Sequence, residues 1–408
     1  MNTTIRGRIA LAGPYLRHSG LLLLWALTPL AAAESQERKS SLFLWLENTG
    51  KSVIATFDRP LHPLLGSVAP GGGIGTGLGF EMSRRPWSVE LEGLYTTRQY
   101  WSVEAAANHS STRVSAVAYA RLRDMPRLEY FGPGPHSAEA DRTSFGLREG
   151  VGGVSGVLRV TQWLSVGARA EQLWIDVGTG KSTDAPSIES KFGETDAPGL
   201  ATQPTFGRYE GSVDVIVPAA AAIGLQQGGN YRLTYALYSD QELDRFSFRR
   251  LELEGQHRFA PFGNLQRLTL HGWLSLTELG VGQEIPFYLR RTLGGTGGLR
   301  TVGESPIGSD GTEATLRSFG HYRFRDRHVL LLQAEYRVPV WGPIDATFFA
   351  EGGKVASIKS DVALKDLSHS FGGSLNLMRG RVTAARLDLG FGDEGPRLFL
   401  TIGRDFKP

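Results

Sequence analysis

The sequence predicts an all-β chain that forms a transmembrane antiparallel β-barrel of sixteen strands with long loops at one end. Three observations predict this fold. They are an export signal at the start of the chain, short segments in which apolar and polar residues alternate, and connections that are alternately short and long. Together they favour the bacterial outer membrane as the location.

The first 33 residues have the features of a secretory signal peptide. Positive residues come first, an apolar run follows at 21–27, and three alanines at 31–33 offer a cleavage site. A membrane anchor is disfavoured, because the apolar run is about half of the ~20 residues that a spanning helix needs. We therefore expect a signal peptide at 1–33, an N-terminal segment at 34–71 and the barrel at 72–408.

The composition agrees with a barrel and argues against other classes. Beyond the signal peptide, no apolar run is long enough to span a bilayer as a helix. The chain has no Cys although it is expected to be exported, so disulfides cannot stabilise it. A closed barrel suits this constraint because it satisfies the backbone groups without an exposed edge. The net charge of +3 is too small to indicate nucleic acid as a partner.

Alternation is clear in three segments. At 267–276 the leucines share one face with Gly272, and polar residues occupy the other face with Trp273 as the exception. The segments 231–238 and 328–338 follow the same pattern. Period two with charge on the second face indicates strands that are apolar on one side and polar on the other. A soluble sandwich would show the same alternation, so the connections must decide between the two.

The connections favour a membrane barrel. We expect fifteen strands, near 72–82, 87–97, 99–108, 111–121, 143–160, 164–175, 205–217, 229–238, 245–259, 266–278, 328–338, 344–353, 370–379, 382–391 and 396–404. The long links are 122–142, 176–204, 279–327 and 354–369, and short links alternate with them, so all long loops lie at one end. An even strand count requires one more strand, in 52–58 or 64–68. The segment 41–57 is also a candidate amphipathic helix, either in the lumen or at the membrane surface.

Three stretches of the C-terminal half carry more specific motifs. They are Leu293-Gly294-Gly295 after Pro286-Phe287-Tyr288, then 315–319 with 322–327, then 331–337 leading through Trp341-Gly342-Pro343 into 348–355. These stretches resemble the bacterial surface antigen family, the barrels of the outer-membrane assembly and two-partner-secretion superfamily. The resemblance covers about 70–408 and is specific from 284 onward.

The resemblance implies a lumen latch. In that family a long extracellular loop folds into the lumen, and its Arg pairs with an acid on the inner wall. Arg317 and Phe319 match the loop motif, and Phe349, Glu351 and Gly353 match the wall motif. Loss of one partner of such a buried pair costs about 3–5 kcal/mol.

The match departs from the family pattern in three places. Ser318 stands where the family has Gly, Glu351 replaces Asp, and 298–314 is an apparent insertion. The insertion contains a second candidate for the latch, Arg300. We favour Arg317 because the residues after it fit the family continuation. Glu335 and Arg337, on the same wall, are expected to support the latch.

No residues indicate catalysis, a cofactor or a metal. The glycine-rich run at 294–298 lacks the Gly-Lys-Ser/Thr ending of a phosphate loop, and 108–111 offers His and Ser without a third group to orient them. The nine His form no close pair at metal-ligand spacing. The run Arg323, Arg325 and Arg327 is expected either to bind lipopolysaccharide phosphate or to line the lumen.

These observations lead to competing functions. The first is a gated channel, or a barrel that translocates or inserts protein or lipid. Sixteen strands leave no room for the periplasmic polypeptide-transport-associated domains of family members, so either a passive channel or a barrel that works with a separate periplasmic partner is expected. Other expected partners are outer-membrane lipid, lipopolysaccharide and the barrel-assembly machinery. The alternatives are a non-conducting surface or adhesin barrel and, less favoured, an outer-membrane hydrolase.

Overall fold

The computed structural model describes residues 60–218, 226–260, 266–295, 315–379 and 382–402. The strands are β1 Leu61–Gly66, β2 Gly75–Arg84, β3 Trp87–Thr96, β4 Trp101–Ser110, β5 Val114–Tyr130, β6 Thr143–Arg159, β7 Leu164–Thr179, β8 Phe206–Val217, β9 Gln226–Asp240, β10 Phe248–Phe259, β11 Arg267–Leu279, β12 Arg291–Leu293, β13 Phe324–Asp326, β14 His328–Trp341, β15 Ile344–Ala356, β16 Ser368–Arg379, β17 Val382–Gly392 and β18 Arg397–Ile402. Within the described residues, no helix has the length and apolar character needed to cross a membrane.

Sixteen of these strands form one antiparallel sheet that runs from β1 to β18. The remaining two, β12 and β13, pair with each other inside the connection between β11 and β14. β1 and β18 approach each other, so the sheet is a nearly closed barrel. Between the described parts of these two strands there is no hydrogen-bonded register, whereas each of the other neighbours has one. We call this junction the seam.

The barrel prediction is confirmed, and the missing strand is identified. It is β1, which overlaps the second candidate region at 64–68. The first candidate region, the possible helix at 41–57 and the signal peptide at 1–33 lie outside the described residues. The alternation of connections is also confirmed: 85–86, 111–113, 160–163 and 342–343 lie at one end, and 131–142, 180–205, 280–327 and 357–367 at the other. By the usual asymmetry of such barrels, the end with long loops is extracellular.

One predicted boundary is wrong. β5 continues to Tyr130, so the loop begins at 131 and not at 122. The charges at 121–127 suggested a loop, but Arg121 and Arg123 face the lumen and pair with Glu149 at 2.9 Å. A shift of register between Met125 and Leu128 accommodates this stretch in the ladder.

The two faces of the sheet differ as the alternation predicted. Large apolar residues face outward, and Leu253, Phe348 and Leu398 are each about half exposed or more. Exposed tryptophans mark the short-connection end, at Trp87, Trp163 and Trp341. This matches the aromatic girdle of membrane barrels, where amphipathic rings lie at the boundary between lipid and water. Trp273, the exception in the sequence pattern, faces inward, and the guanidinium of Arg291 lies 5.6 Å from its ring centroid.

Candidate functional site

The described parts of the connection between β11 and β14, 280–295 and 315–327, fold back into the barrel, and we call them the lumen loop. Its short strands β12 and β13 pack against β14 and β15 of the wall. Leu293, Leu316 and Phe319 of the loop form one buried apolar cluster with wall residues Val329, Leu331 and Val355. The loop is therefore held by apolar contact as well as by charge.

Arg317 is the centre of the site and is completely buried. Its Nε donates a hydrogen bond to Glu351 Oε1 at 2.7 Å, and its backbone N–H donates to Glu351 Oε2 at 2.9 Å. Its Nη1 lies 2.7 Å from Glu335 Oε1. The guanidinium carbon lies 3.6 Å from the centroid of the Phe349 ring. The structure thus brings Arg317, Glu351, Phe349 and Glu335 together.

Three further residues complete this cluster. The sequence analysis did not assign these three to the latch. Asp388 Oδ1 lies 3.5 Å from Arg317 Nη1. Arg386 bridges Glu335 and Asp388 at 2.9 and 2.7 Å. Gln333 Nε2 donates to Glu351 Oε1 at 2.8 Å. Alternation places all three on the inner face, but only the curvature of the barrel brings β17 opposite β14. We call Arg317, Glu335, Glu351, Arg386 and Asp388 the latch cluster.

The glycines near Arg317 allow the loop to approach the wall closely. A Cβ at Gly353 would lie 2.9 Å from Leu293 Cδ1 and 3.2 Å from Leu316 Cδ1. A Cβ at Gly392 would lie within 2.1 Å of Ser318 Oγ. Ser318 therefore replaces the family's Gly without blocking the contact, because the wall supplies the glycine instead.

Replacing Gly353 with Val is expected to weaken docking of the lumen loop. The added methyl groups would force the leucines away, and overpacking of this kind costs about 1–3 kcal/mol. Trypsin should then cleave within 315–327 about tenfold faster than in wild type. The matched control is Gly373→Val on the outward face of β16, where a Cβ meets only Thr347 O at 3.6 Å. Equal cleavage of both variants would contradict the proposed role of Gly353.

Two residues named in the sequence analysis make no ion pair with Arg317 among the described contacts. Arg337 donates to Met378 Sδ at 3.9 Å and makes no ion pair with the latch cluster among the described contacts. It faces the lumen on β14 and interacts electrostatically with Glu335, whereas Arg386 and Gln333 bond directly to the carboxylates that hold Arg317. Arg300, the alternative to Arg317, lies outside the described residues.

Two arginines of the run after Arg317 have partners within the protein. Arg323 and Arg325 are buried in the loop interior. Arg323 Nε contacts Glu394 Oε1 at 2.6 Å, and its Nη1 donates to Ser137 Oγ at 2.8 Å. Arg325 Nη1 donates to Phe287 O at 2.8 Å and lies over aromatic rings. In this arrangement both guanidinium groups are engaged by protein groups.

The lumen loop also touches both sides of the seam. The Tyr322 hydroxyl donates to Pro70 O, in the connection after β1, at 2.9 Å. The adjacent His321 ring lies 5.3 Å from the ring of Phe399 in β18. Burial, and the positive charges of Arg98 and Arg397, lower the pKa of His321 to about 4. His321 is therefore neutral near neutral pH.

The extracellular end is covered by packed loops. Ile188 and Ala197 of the β7–β8 connection form a buried cluster with Phe287 and Tyr288 of the lumen loop. Arg245 joins the same two loops through Glu194 at 3.1 Å and Glu284 at 2.8 Å.

Residues that the sequence analysis considered for phosphate binding or catalysis have structural partners. Gly295 N–H donates to Phe319 O at 3.1 Å, and Gly294 N–H donates to Thr315 O, so these amides are used within the loop. The His109 ring packs edge-on against Trp87 at 4.8 Å. In the described part of the chain, no group of His, Asp and Glu is arranged to hold a metal ion.

Comparison with known proteins supports the fold. No protein-family model and no curated protein matches the sequence. BamA from Haemophilus ducreyi lacking POTRA domains 1–3 superimposes with a TM-score of 0.55 at 10% identity, over 83% of this chain and 68% of that chain. CdiB from Escherichia coli gives 0.54 at 11% identity, over 85% and 61%. The chain thus spans about three fifths of that CdiB chain. The predicted likeness to these outer-membrane barrels is confirmed at the level of the fold.

Proposed function

We propose that this chain is an outer-membrane barrel that acts as a gated translocation or insertion device and is closed by the lumen loop. The observation that carries the proposal is Arg317, completely buried among three carboxylates of the wall. A permanent plug needs only apolar packing, since a buried ion pair is weak evidence for stability and is best attested as a switch or register device. The latch cluster therefore suits a loop that must be released and captured again.

The seam is the second part of the proposal. β1 and β18 lack a register in their described parts, and the lumen loop contacts both sides through Tyr322 and His321. In this proposal the docked loop keeps the seam closed, and release of the latch cluster lets the seam widen toward the lipid. A lateral opening would allow a substrate to pass from the lumen into the membrane.

The proposal places the chain in the outer membrane after export, with the barrel-assembly machinery as its insertion partner and lipid and lipopolysaccharide around it. A separate periplasmic protein would deliver the substrate. The likeness in fold to BamA and CdiB supports a non-enzymatic role of this class.

Planar-bilayer recording tests the gate. Wild type should be mostly closed, and Arg317→Ala should give frequent openings because the loop loses its central charge. Arg232→Ala is the matched control, because Arg232 pairs with Asp214 of the neighbouring wall strand at 2.5 Å. Absence of current in wild type and in Arg317→Ala would exclude the pore.

One observation favours the non-conducting surface barrel as a second candidate. The extracellular mouth is covered by loops that share an apolar core and the Arg245 ion pairs. A rigid cap of this kind suits a binding surface. No current from any variant, together with unchanged cleavage of the lumen loop in Arg317→Ala, would support this candidate.

A further inference from the structure

The outward face of β9–β11 and β14 contains an apolar groove of about 470 Å³. Its sides are formed by Leu253, Leu270, Leu274, Leu330 and Leu332. Its floor lies where Gly255 of β10 and Gly272 of β11 stand directly opposite each other. With no side chain at either position, the backbone of the wall forms the bottom of the groove.

The packing of the barrel itself requires a glycine at one of these two positions but not at the other. At Gly255 the ring of Tyr231 covers the backbone, and a Cβ would lie 2.7 Å from Tyr231 Cδ1. At Gly272 a Cβ would meet only Leu332 Cδ2, at an ordinary 3.5 Å. The barrel's own packing therefore does not require Gly272. Gly within a strand costs about 0.5–1 kcal/mol relative to Ala, and it often marks close approach by another molecule.

The position of the groove identifies the class of that molecule. The groove is continuous with the lipid-facing surface, so its occupant must be apolar along its length. At one end, the Tyr231 hydroxyl and His257 Nδ1 are hydrogen-bonded at 2.8 Å. His257 lies two residues before the end of β10, at the short-connection and hence periplasmic end of the barrel. The groove thus runs inward from a polar pair at the level of lipid headgroups.

We propose that the groove holds one acyl chain of a phospholipid from the periplasmic leaflet, with the headgroup beside Tyr231 and His257. An acyl chain fits because it is narrow, apolar and attached to a polar group at one end. The acyl chain packs against the backbone at Gly272 and covers the surface that a side chain would otherwise cover. The groove lies on the outward face of the wall, whereas the latch cluster lies on the inward face, so this inference stands independently of the gate.

Native mass spectrometry with dioleoyl phosphatidylethanolamine as the probe tests the proposal. After detergent exchange, wild type should retain one lipid molecule. Gly272→Leu fills the floor and should reduce retention about tenfold, because it displaces about two methylene groups from apolar contact. Gly211→Leu is the matched control, since Gly211 is exposed on the outward face of β8 with nothing within 4 Å of a Cβ; it should retain lipid as wild type does.

Several outcomes would overturn the proposal. One is that Gly272→Leu retains as much lipid as wild type. Another is that wild type retains no lipid. A dimer that Gly272→Leu dissociates would identify a second copy of the chain as the occupant instead. Leu332→Trp fills the groove from its side and provides the same test if Gly272→Leu does not insert.

Discussion

Replacing Arg317 with Ala is expected to release the lumen loop and to increase hydrogen exchange of the amides at 315–319 by more than about 100-fold. The reason is electrostatic. The substitution leaves Glu335, Glu351 and Asp388 buried, and Arg386 pairs with Glu335 and Asp388 but not with Glu351 among the described contacts. Removing one partner from a buried ion pair costs about 3–5 kcal/mol, and each 1.4 kcal/mol is about a factor of ten. Hydrogen exchange read by mass spectrometry measures this directly.

Two further variants define the origin of the effect. Arg317→Lys keeps the charge but loses the planar fork that contacts two carboxylates, so it should give an intermediate increase in exchange. Arg232→Ala should leave 315–319 unchanged, since its ion pair with Asp214 lies on the wall. If Arg317→Ala also left these amides protected, the leucine and phenylalanine packing of the loop would be sufficient to hold it, and the latch would be excluded.

Acidification is expected to loosen the contact between the lumen loop and the seam. The pKa of His321 falls from 6.5 in the unfolded chain to about 4 in the docked loop. A group with a lowered pKa contributes stability that is present above 6.5 and is lost as the pH falls through about 4. Between about pH 7 and pH 4.5 the loss should be about 2 kcal/mol, or roughly 30-fold in exchange of the amides near 321–322.

The groups that face His321 explain the direction of this effect. Arg98 lies in the connection after β3, and Arg397 begins β18, so a protonated imidazole would meet two positive charges. His321→Phe keeps a ring against Phe399 but cannot be protonated, so it should remove most of the pH dependence. If wild type and His321→Phe lost protection from hydrogen exchange over the same pH range, the effect would be assigned to the carboxylates of the latch cluster.

The architecture of the barrel was predictable from the sequence because strand alternation and connection length are local properties. Because successive side chains of a strand point to opposite faces, the sequence alone assigns each residue to one face of the sheet. The faces on which Gly272, Trp273 and Glu351 lie follow from this alternation. The end of β5 was not predictable in this way. Charged residues at 121–127 resemble a loop until their partner Glu149, on the neighbouring strand, is known.

By itself, the sequence determined the strand pattern and the single end with long loops, and its resemblance to a family predicted Arg317 and Glu351 as partners. The tertiary structure decided which other charges join them. Arg386 and Asp388 lie on β17, which β15 and β16 separate from β14, and the curvature of the wall brings their side chains to Glu335. It also decided that Arg323 and Arg325 face protein, that Arg337 contacts Met378, and that His321 and Tyr322 touch the seam. The physical reason is that the face of a strand is fixed by local backbone geometry, whereas contacts across a lumen depend on curvature and register summed over the whole barrel.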